Sequence, residues 1–161
     1  MKVRAFLADS VQSVEGKLYA LGIGWNRLAA GGFPARHDRL GIGVLITLEE
    51  GEGGEHNVEL SLDGPDSRPM TLFTDPSGSE QAAINATFQT QHPGGAFADV
   101  VVPLALNIDG VSLPAAGDYA FSIRVDGTEA ERLTFRVDQV GEAAPGGAPS
   151  TTTTERSAGY L

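Results

Sequence analysis

The residues best suited to recognition chemistry follow one another at the end of an apolar stretch, as Trp25, Asn26 and Arg27. Trp25 is the only tryptophan of the chain. A tryptophan at a strand end either completes the core or offers a flat apolar surface to a ligand, and burial is the commoner outcome for so large a side chain. If the ring is exposed, Asn26, Arg27 and His37 would complete a contact site for a sugar or a protein.

Side chains that can bind metals are present but dispersed. The three histidines show no paired spacing, so solvated loop histidines are favoured over a histidine–carboxylate metal site; they are His37, His56 and His92. Calcium requires several convergent oxygen ligands, whereas the candidate aspartates occur singly at turns: Asp63, Asp66, Asp75 and Asp109. We expect neither a metal nor a cofactor.

Motifs of covalent or phosphoryl-transfer catalysis are missing from the sequence. The chain contains no cysteine, which excludes thiolate catalysis, zinc–thiolate sites and iron–sulfur clusters. There is no Gly-x-Ser-x-Gly nucleophile motif, and Gly22-Ile-Gly24 and Gly41-Ile-Gly43 lack the third glycine of a dinucleotide-binding fingerprint. We therefore expect a protein that is not an enzyme.

The charge of the chain restricts its partners. With 11 basic and 21 acidic residues among 161, the formal net charge is −10. This disfavours binding to nucleic acid through phosphates and to anionic membranes. The longest apolar run, around Leu40 to Leu48, is far shorter than the ~20 residues of a membrane helix. Arg4 and Asp9 interrupt any secretory signal at the N-terminus, so we expect synthesis and initial localisation in the cytoplasm.

The elements that must position these side chains follow a hydrophobic period of two, which is typical of half-buried strands. Alternation is clearest in residues 40–48, 56–63, 118–126 and 132–138. With weaker segments this gives about nine short strands between turns rich in glycine and proline. The pattern predicts an all-β, antiparallel β-sandwich of about eight strands, immunoglobulin-like or jelly-roll in style.

Two local patterns predict packing in more detail. Gly41 and Gly43 begin the second face of an otherwise apolar strand, which indicates a bend or close packing under something bulky. Tyr119 follows Gly117 at a strand start, a pattern common in Greek-key sandwiches, where the ring packs inward and the hydroxyl ties back a loop.

The chain divides into a predicted domain and a predicted tail. Residues 1–140 carry the strand pattern, and residues 141–161 are a flexible segment rich in glycine, proline and threonine, with too little apolar mass to fold. Tyr160 and Leu161 at its end are candidates for a small docking anchor, although a frayed end is the favoured interpretation.

Several motifs resemble a family of short uncharacterised proteins from actinobacteria and the phages that infect them. They are Leu7-Ala8-Asp9, Glu15-Gly16-Lys17-Leu18-Tyr19, the strand 56–63, the run 103–107 and the closing part 114–137. The resemblance spans about residues 3–138, omits the tail, and departs at the acidic loop 49–55. It implies a β-sandwich of unsecreted origin and brings no catalytic residue with it.

Two hypotheses about function follow. The first is a non-enzymatic structural or interaction module, most concretely a phage virion component such as a capsid decoration or minor structural protein. Its partner would be a protein such as a phage coat protein, and the virion a second location. The alternative is a soluble sugar- or calcium-dependent ligand-binding module. It requires Trp25, Asn26, Arg27 and His37 to converge in one concave, exposed site.

Overall fold

The computed structural model describes residues 1–90 and 100–141. His92 and nearly all of the predicted tail, with Tyr160 and Leu161, lie outside these residues. The described part contains twelve strands: β1 (Lys2–Ala8), β2 (Ser10–Val14), β3 (Lys17–Leu21), β4 (Arg27–Ala30), β5 (Ala35–Leu48), β6 (Gly54–Asp63), β7 (Phe73–Thr74), β8 (Glu80–Gln81), β9 (Ala83–Thr90), β10 (Val100–Leu113), β11 (Gly117–Val125) and β12 (Thr128–Gln139). The predicted all-β class is confirmed. In these residues no helix is long and apolar enough to cross a membrane.

Two sheets form the body of the molecule. One has three strands in the order β1-β5-β10, and the other has five in the order β4-β12-β11-β6-β9. Their eight strands agree with the predicted number, and two further hairpins, β2–β3 and β7–β8, are added to them. The predicted antiparallel pairing holds except between β4 and β12, which run parallel. Because β4 is not joined to β12 by a hairpin, no turn imposes the antiparallel direction.

The core lies between the two sheets, where the alternating side chains of β5 meet those of β6 and β11. The fully buried residues include Leu40, Ile42, Val44, Ile46 and Leu48 from β5, and Leu60, Leu62, Phe121 and Ile123 from the facing sheet. Each such side chain contributes about 1.5–3 kcal/mol of transfer free energy. This burial makes the sandwich a rigid base for the surface elements.

The β2–β3 hairpin packs on the outer face of the three-stranded sheet, above Gly41 and Gly43. A Cβ atom on Gly41 would lie 3.0 Å from the Cα atom of Ser10. One on Gly43 would meet the ring of Phe6 from β1 first and would also lie 2.9 Å from a methyl group of Leu18 in the hairpin. The glycines allow this close approach, which confirms the packing that the sequence predicts at these two positions.

Asn107 of β10 fixes the same hairpin by hydrogen bonds to the backbone of β2. Its Nδ2 donates to the carbonyl oxygen of Val11 at 2.8 Å, and its Oδ1 accepts from the N–H of Val11 at 3.0 Å. The backbone N–H and C=O groups of Val11 are thereby both paired, so the hairpin is held in a defined position on the sheet.

Tyr119 is the third residue of β11, and its ring and hydroxyl are placed as predicted. Its hydroxyl donates to the carbonyl oxygen of Ala115 at 2.6 Å, and its ring stacks on Phe135 with a centroid distance of 5.3 Å. The side chain is 1% exposed. Burial raises the pKa of the hydroxyl above its ordinary value, so the group remains a hydrogen-bond donor at neutral pH.

Candidate interaction surface

The predicted contact residues Trp25 and His37 come together in the fold. Their ring centroids are 6.3 Å apart with tilted planes, and the Trp25 ring also meets Phe135 edge-on at 6.1 Å. Trp25 is half-buried and packs against the core. Its Nε1–H is buried and has no hydrogen-bond partner among residues 1–90 and 100–141.

Asn26 and Arg27 enter the edge strand β4 beside β12. The carbonyl oxygen of Asn26 accepts a hydrogen bond from the N–H of Arg136 at 2.8 Å. The Arg27 guanidinium donates twice to Asp138, with its Nη2 atom at 2.8 Å from Oδ2. Arg27 and then Arg136 hold the pKa of Asp138 below its ordinary value. The Arg27 side chain therefore already has a partner within the fold.

Within the described residues, these four side chains are distributed over separate depressions. His37 lines a depression of about 330 Å³ beside β4, and Asn26 and Arg27 line a second one of about 520 Å³ on the outer side of β12. Trp25 borders a third depression of about 250 Å³, together with Asn26 and Ile23. The single concave site that the ligand-binding alternative requires is therefore divided into three shallow depressions.

The carboxylates proposed for calcium are spread over the surface and have other partners. Asp63 accepts from Arg132, Asp75 from Ser77, and Asp109 from Arg39, while Asp66 lies within ion-pair distance of Arg68. Across residues 1–90 and 100–141, no three His, Asp or Glu side chains are grouped so as to hold a metal ion. The calcium-dependent form of the alternative thus has no assembled site in this part of the chain.

The structure exposes a group of apolar side chains that the sequence analysis did not single out. Seven large apolar side chains are exposed in the described residues, and four of them belong to the β2–β3 hairpin and the two residues after it. We call these four the hairpin ridge: Val14 (43% exposed), Tyr19 (54%), Leu21 (73%) and Ile23 (58%). A contiguous exposed apolar group is typical of a protein-binding surface.

The apolar alternation of β3 is the signal that could have indicated the ridge. Tyr19 and Leu21 occupy one face of the strand, while Leu18 and Ala20 occupy the other. Since both faces are apolar, the pattern fits a strand that lies on a sheet with one face and meets a partner with the other. Periodicity alone does not tell which face is which.

The surroundings of the ridge have the composition of an interface rim. On one side a depression of about 500 Å³ is lined by Tyr19, Leu21, Arg39 and Asn107. Arg39 donates to Asp109 across the outer face of the sheet, with Nε 2.6 Å from Oδ1. This contact lowers the pKa of Asp109 and raises that of Arg39. An apolar centre with a polar rim is the usual anatomy of protein interfaces.

His56 is not the solvated loop histidine that the sequence suggests. Its side chain is 13% exposed, and its ring lies 5.2 Å from that of Phe88. Nδ1 is 2.8 Å from a carboxylate oxygen of Asp126, and Nε2 is 3.0 Å from the carbonyl oxygen of Glu52. Both neighbours only accept hydrogen bonds, so both nitrogens are satisfied only in the protonated ring. Asp126 accordingly raises the pKa of His56, and the contact joins two turns.

The two facing sheets define an all-β sandwich protein. Within that class the chain belongs to DUF6941, a family of unknown function, whose model matches residues 3–138. This confirms the predicted family resemblance and its extent. No curated protein matches the sequence.

Among solved structures, the chain is similar to the Pseudomonas fluorescens alkylpurine DNA glycosylase AlkC bound to DNA containing an abasic site analog. The alignment covers 70% of this chain at 14% identity with a TM-score of 0.36, and the chain spans 27% of the length of that protein. A likeness at this level supports no inference about function.

Proposed function

We propose that the protein is a non-enzymatic interaction module that binds a protein partner through the hairpin ridge. The observation that carries the proposal is the exposure, each by more than half, of Tyr19 and Leu21 on one face of β3 and of Ile23 two residues beyond that strand. A partner that buried the part of such a side chain that is still exposed would gain about 1–2 kcal/mol for each residue, since full burial contributes about 1.5–3 kcal/mol. Aromatic and aliphatic anchors of this kind dominate the affinity of protein interfaces.

The packing of the β2–β3 hairpin on the sheet supports the same proposal. Asn107 pairs both backbone groups of Val11, and the close approach at Gly41 and Gly43 seats the hairpin on the sheet. A preorganised surface loses little conformational entropy when a partner binds. The net charge of −10 disfavours an anionic membrane as the partner, and two of the exposed residues, Leu21 and Ile23, have no aromatic face for a sugar ring.

The most specific form of the proposal is a phage virion component, such as a capsid decoration or minor structural protein, with a coat protein as partner. It rests on the family resemblance described above together with the ridge. On a particle, a small sandwich with one apolar contact surface would attach to a repeated site and expose its charged face to solvent.

The experiment compares the wild-type chain with the ridge variant Leu21→Ser/Ile23→Ser in its native source. Phe73→Ser is the matched control, because Phe73 is 40% exposed but lies on the other hairpin. Lysates are separated on a density gradient, and the protein is quantified in each fraction by mass spectrometry. Circular dichroism of the purified chains verifies that all three are folded.

The virion form predicts that wild type and control sediment with particles at a fixed ratio to a major coat protein, while the ridge variant moves to light fractions. Wild type confined to light fractions refutes the virion form. If that light species is still a complex that the ridge variant loses, the interaction module stands. A ridge variant that behaves as wild type in every fraction refutes the ridge as the contact.

A soluble ligand-binding module is the second proposal, supported by the unpaired Nε1–H of Trp25 beside His37. Because this N–H is buried, a ligand oxygen would reach it only after neighbouring side chains moved apart, and it would then gain a hydrogen bond that no described residue supplies. Thermal-shift measurements with a panel of sugars test it, with Trp25→Phe as the variant that keeps the aromatic packing. No stabilisation of wild type by any sugar would refute it.

A further inference from the structure

Strand β9 has an unpaired edge that is unlike the other edges of the sandwich. On one side it pairs with β6 in an unbroken antiparallel register, from Gly54 opposite Thr90 to Ser61 opposite Ala83. On its other side it pairs with no strand of the described residues. No strand within residues 1–90 and 100–141 covers the backbone N–H and C=O groups that point to that side, and an added strand can pair with them.

The other outer strands carry features that block edge pairing. β4 is short and contains Arg27, and β1 contains Lys2 and Arg4. β10 contains Pro103 and also Gly110, whose φ of 69° interrupts the extended backbone. β9 has none of these devices, since its sequence Ala-Ile-Asn-Ala-Thr-Phe-Gln-Thr lacks charge, proline and glycine. Natural sheets protect their edges with such residues, and an edge without them can pair with a strand of another chain.

The faces of β9 would also gain from a neighbouring strand. Ile84 and Phe88 point inward beside the core and remain half-buried. Asn85 and Thr87 point outward and are exposed. An added strand would cover the open flank of the two apolar side chains and would offer the two polar ones cross-strand partners.

We infer that β9 is a self-association edge, at which two copies of this chain pair antiparallel with Ala86 opposite its own counterpart. In this register Ile84 of each copy lies opposite Phe88 of the other, on the inner face. Asn85 likewise lies opposite Thr87 on the outer face. Pairs of an aromatic and a β-branched residue are among the stabilising cross-strand pairs, and the two-fold axis provides each pair twice.

A second copy fits this edge because no charged residue faces another charged residue across the two paired β9 strands. The closest carboxylate on the adjacent strand is that of Glu59, opposite Asn85. The two β6 strands of a dimer would be three strand spacings apart, about 14 Å. This exceeds the Debye length of ~8 Å at physiological salt. The repulsion between two chains of net charge −10 is therefore screened by salt, and the dimer strengthens as salt rises.

The contact is a single strand of 8 residues, so the interface is smaller than that of an obligate dimer. The expected species is a weak dimer whose population depends on protein concentration. It uses no residue of the hairpin ridge, so the proposed function and this inference can fail separately.

Sedimentation velocity of the full chain over a concentration series tests the inference. Wild type should shift from monomer to dimer with concentration, and more readily at higher salt. Asn85→Lys/Thr87→Lys places lysine opposite lysine on both sides of the axis and should raise the dissociation constant by about tenfold or more. Thr134→Lys is the matched control, since Thr134 is exposed on the inner strand β12 of the same sheet, and it should dimerise as wild type does.

A pair of variants with opposite charges tests whether the two β9 strands pair in this particular register. Asn85→Glu/Thr87→Glu should also be monomeric alone, and an equimolar mixture of the lysine and glutamate variants should form a heterodimer. A monomeric wild type at every concentration would overturn self-pairing and leave a strand of a different protein as the occupant. A dimer that persists in the lysine variant, or that Leu21→Ser/Ile23→Ser abolishes, would place the contact elsewhere and overturn the inference too.

Discussion

Tyr119→Phe removes one oxygen from a side chain that is 1% exposed, and it keeps the ring that stacks on Phe135. The lost hydroxyl donates to the carbonyl oxygen of Ala115 at 2.6 Å and thereby closes the loop that leads into β11. Phenylalanine cannot donate, and Ala115 is exposed, so water can reach its carbonyl oxygen once the hydroxyl is gone. The substitution therefore isolates the net energy of one part-buried hydrogen bond.

The expected magnitude follows from that isolation. Losing a hydrogen bond to an acceptor that water can reach costs about 0.5–1.5 kcal/mol, whereas the apolar contribution of the ring is unchanged. For a domain of this size each kcal/mol lowers Tm by about 2–4 °C, so the melting temperature should fall by roughly 1–6 °C. The free energy of unfolding is measured by urea titration, with Trp25 fluorescence as the probe.

Tyr19→Phe is the control, because it makes the same chemical change at an exposed position. Tyr19 is 54% exposed, and its hydroxyl makes no hydrogen bond within the part of the chain that the structure describes. It should change the unfolding free energy by no more than about 0.5 kcal/mol. Equal losses in the two variants, or a loss below about 0.5 kcal/mol in Tyr119→Phe, would refute the loop-closing role.

Three further predictions concern two contacts that join distant elements and the end of the last strand. Asn107→Ala should cost about 1–3 kcal/mol and speed hydrogen exchange of the Val11 amide, because both backbone partners lose their bonds; unchanged exchange would contradict this. Asp126 raises the pKa of His56, so its stabilisation is complete below pH about 6.5 and lost as pH rises through the folded pKa. In urea titrations across pH, His56→Gln should remove this loss of unfolding free energy with rising pH. Parallel pH profiles of wild type and variant would contradict the stabilising role of the His56–Asp126 contact. Truncation after Gly141 should leave Tm nearly unchanged, since β12 ends at Gln139; a large drop would show that the tail belongs to the domain.

The parts of the fold that sequence predicts are those in which local patterning and burial agree. Residues 40–48 occupy the centre of the core, because every inward position is apolar, while the outward positions are Gly41, Gly43, Leu45 and Thr47 beneath a covered face. Gly41 and Gly43 indicated something packed above them for the same reason. Tyr119 was predictable since its role depends on neighbours only a few residues away.

The parts that were missed depend on contacts between distant residues. His56 meets Asp126 across a sequence separation of 70 residues, so the alternating segment that begins at His56 does not indicate that its ring has a carboxylate partner. The parallel pairing of β4 with β12 has the same origin. The ridge was missed because both faces of β3 are apolar, and an alternation of that kind does not identify the face that the sheet covers.

The two proposed surfaces have a joint consequence, because they share no residue and can be occupied together. A dimer joined at β9 would carry two hairpin ridges. On a repeated surface, such as a particle, the second ridge would bind at a high effective concentration, so overall affinity would exceed that of one ridge. The lysine variant at Asn85 and Thr87 should then bind an isolated partner subunit as wild type does, yet dissociate faster from the assembled particle. Equal dissociation rates from the particle would show that each copy binds alone, even if both surfaces prove real.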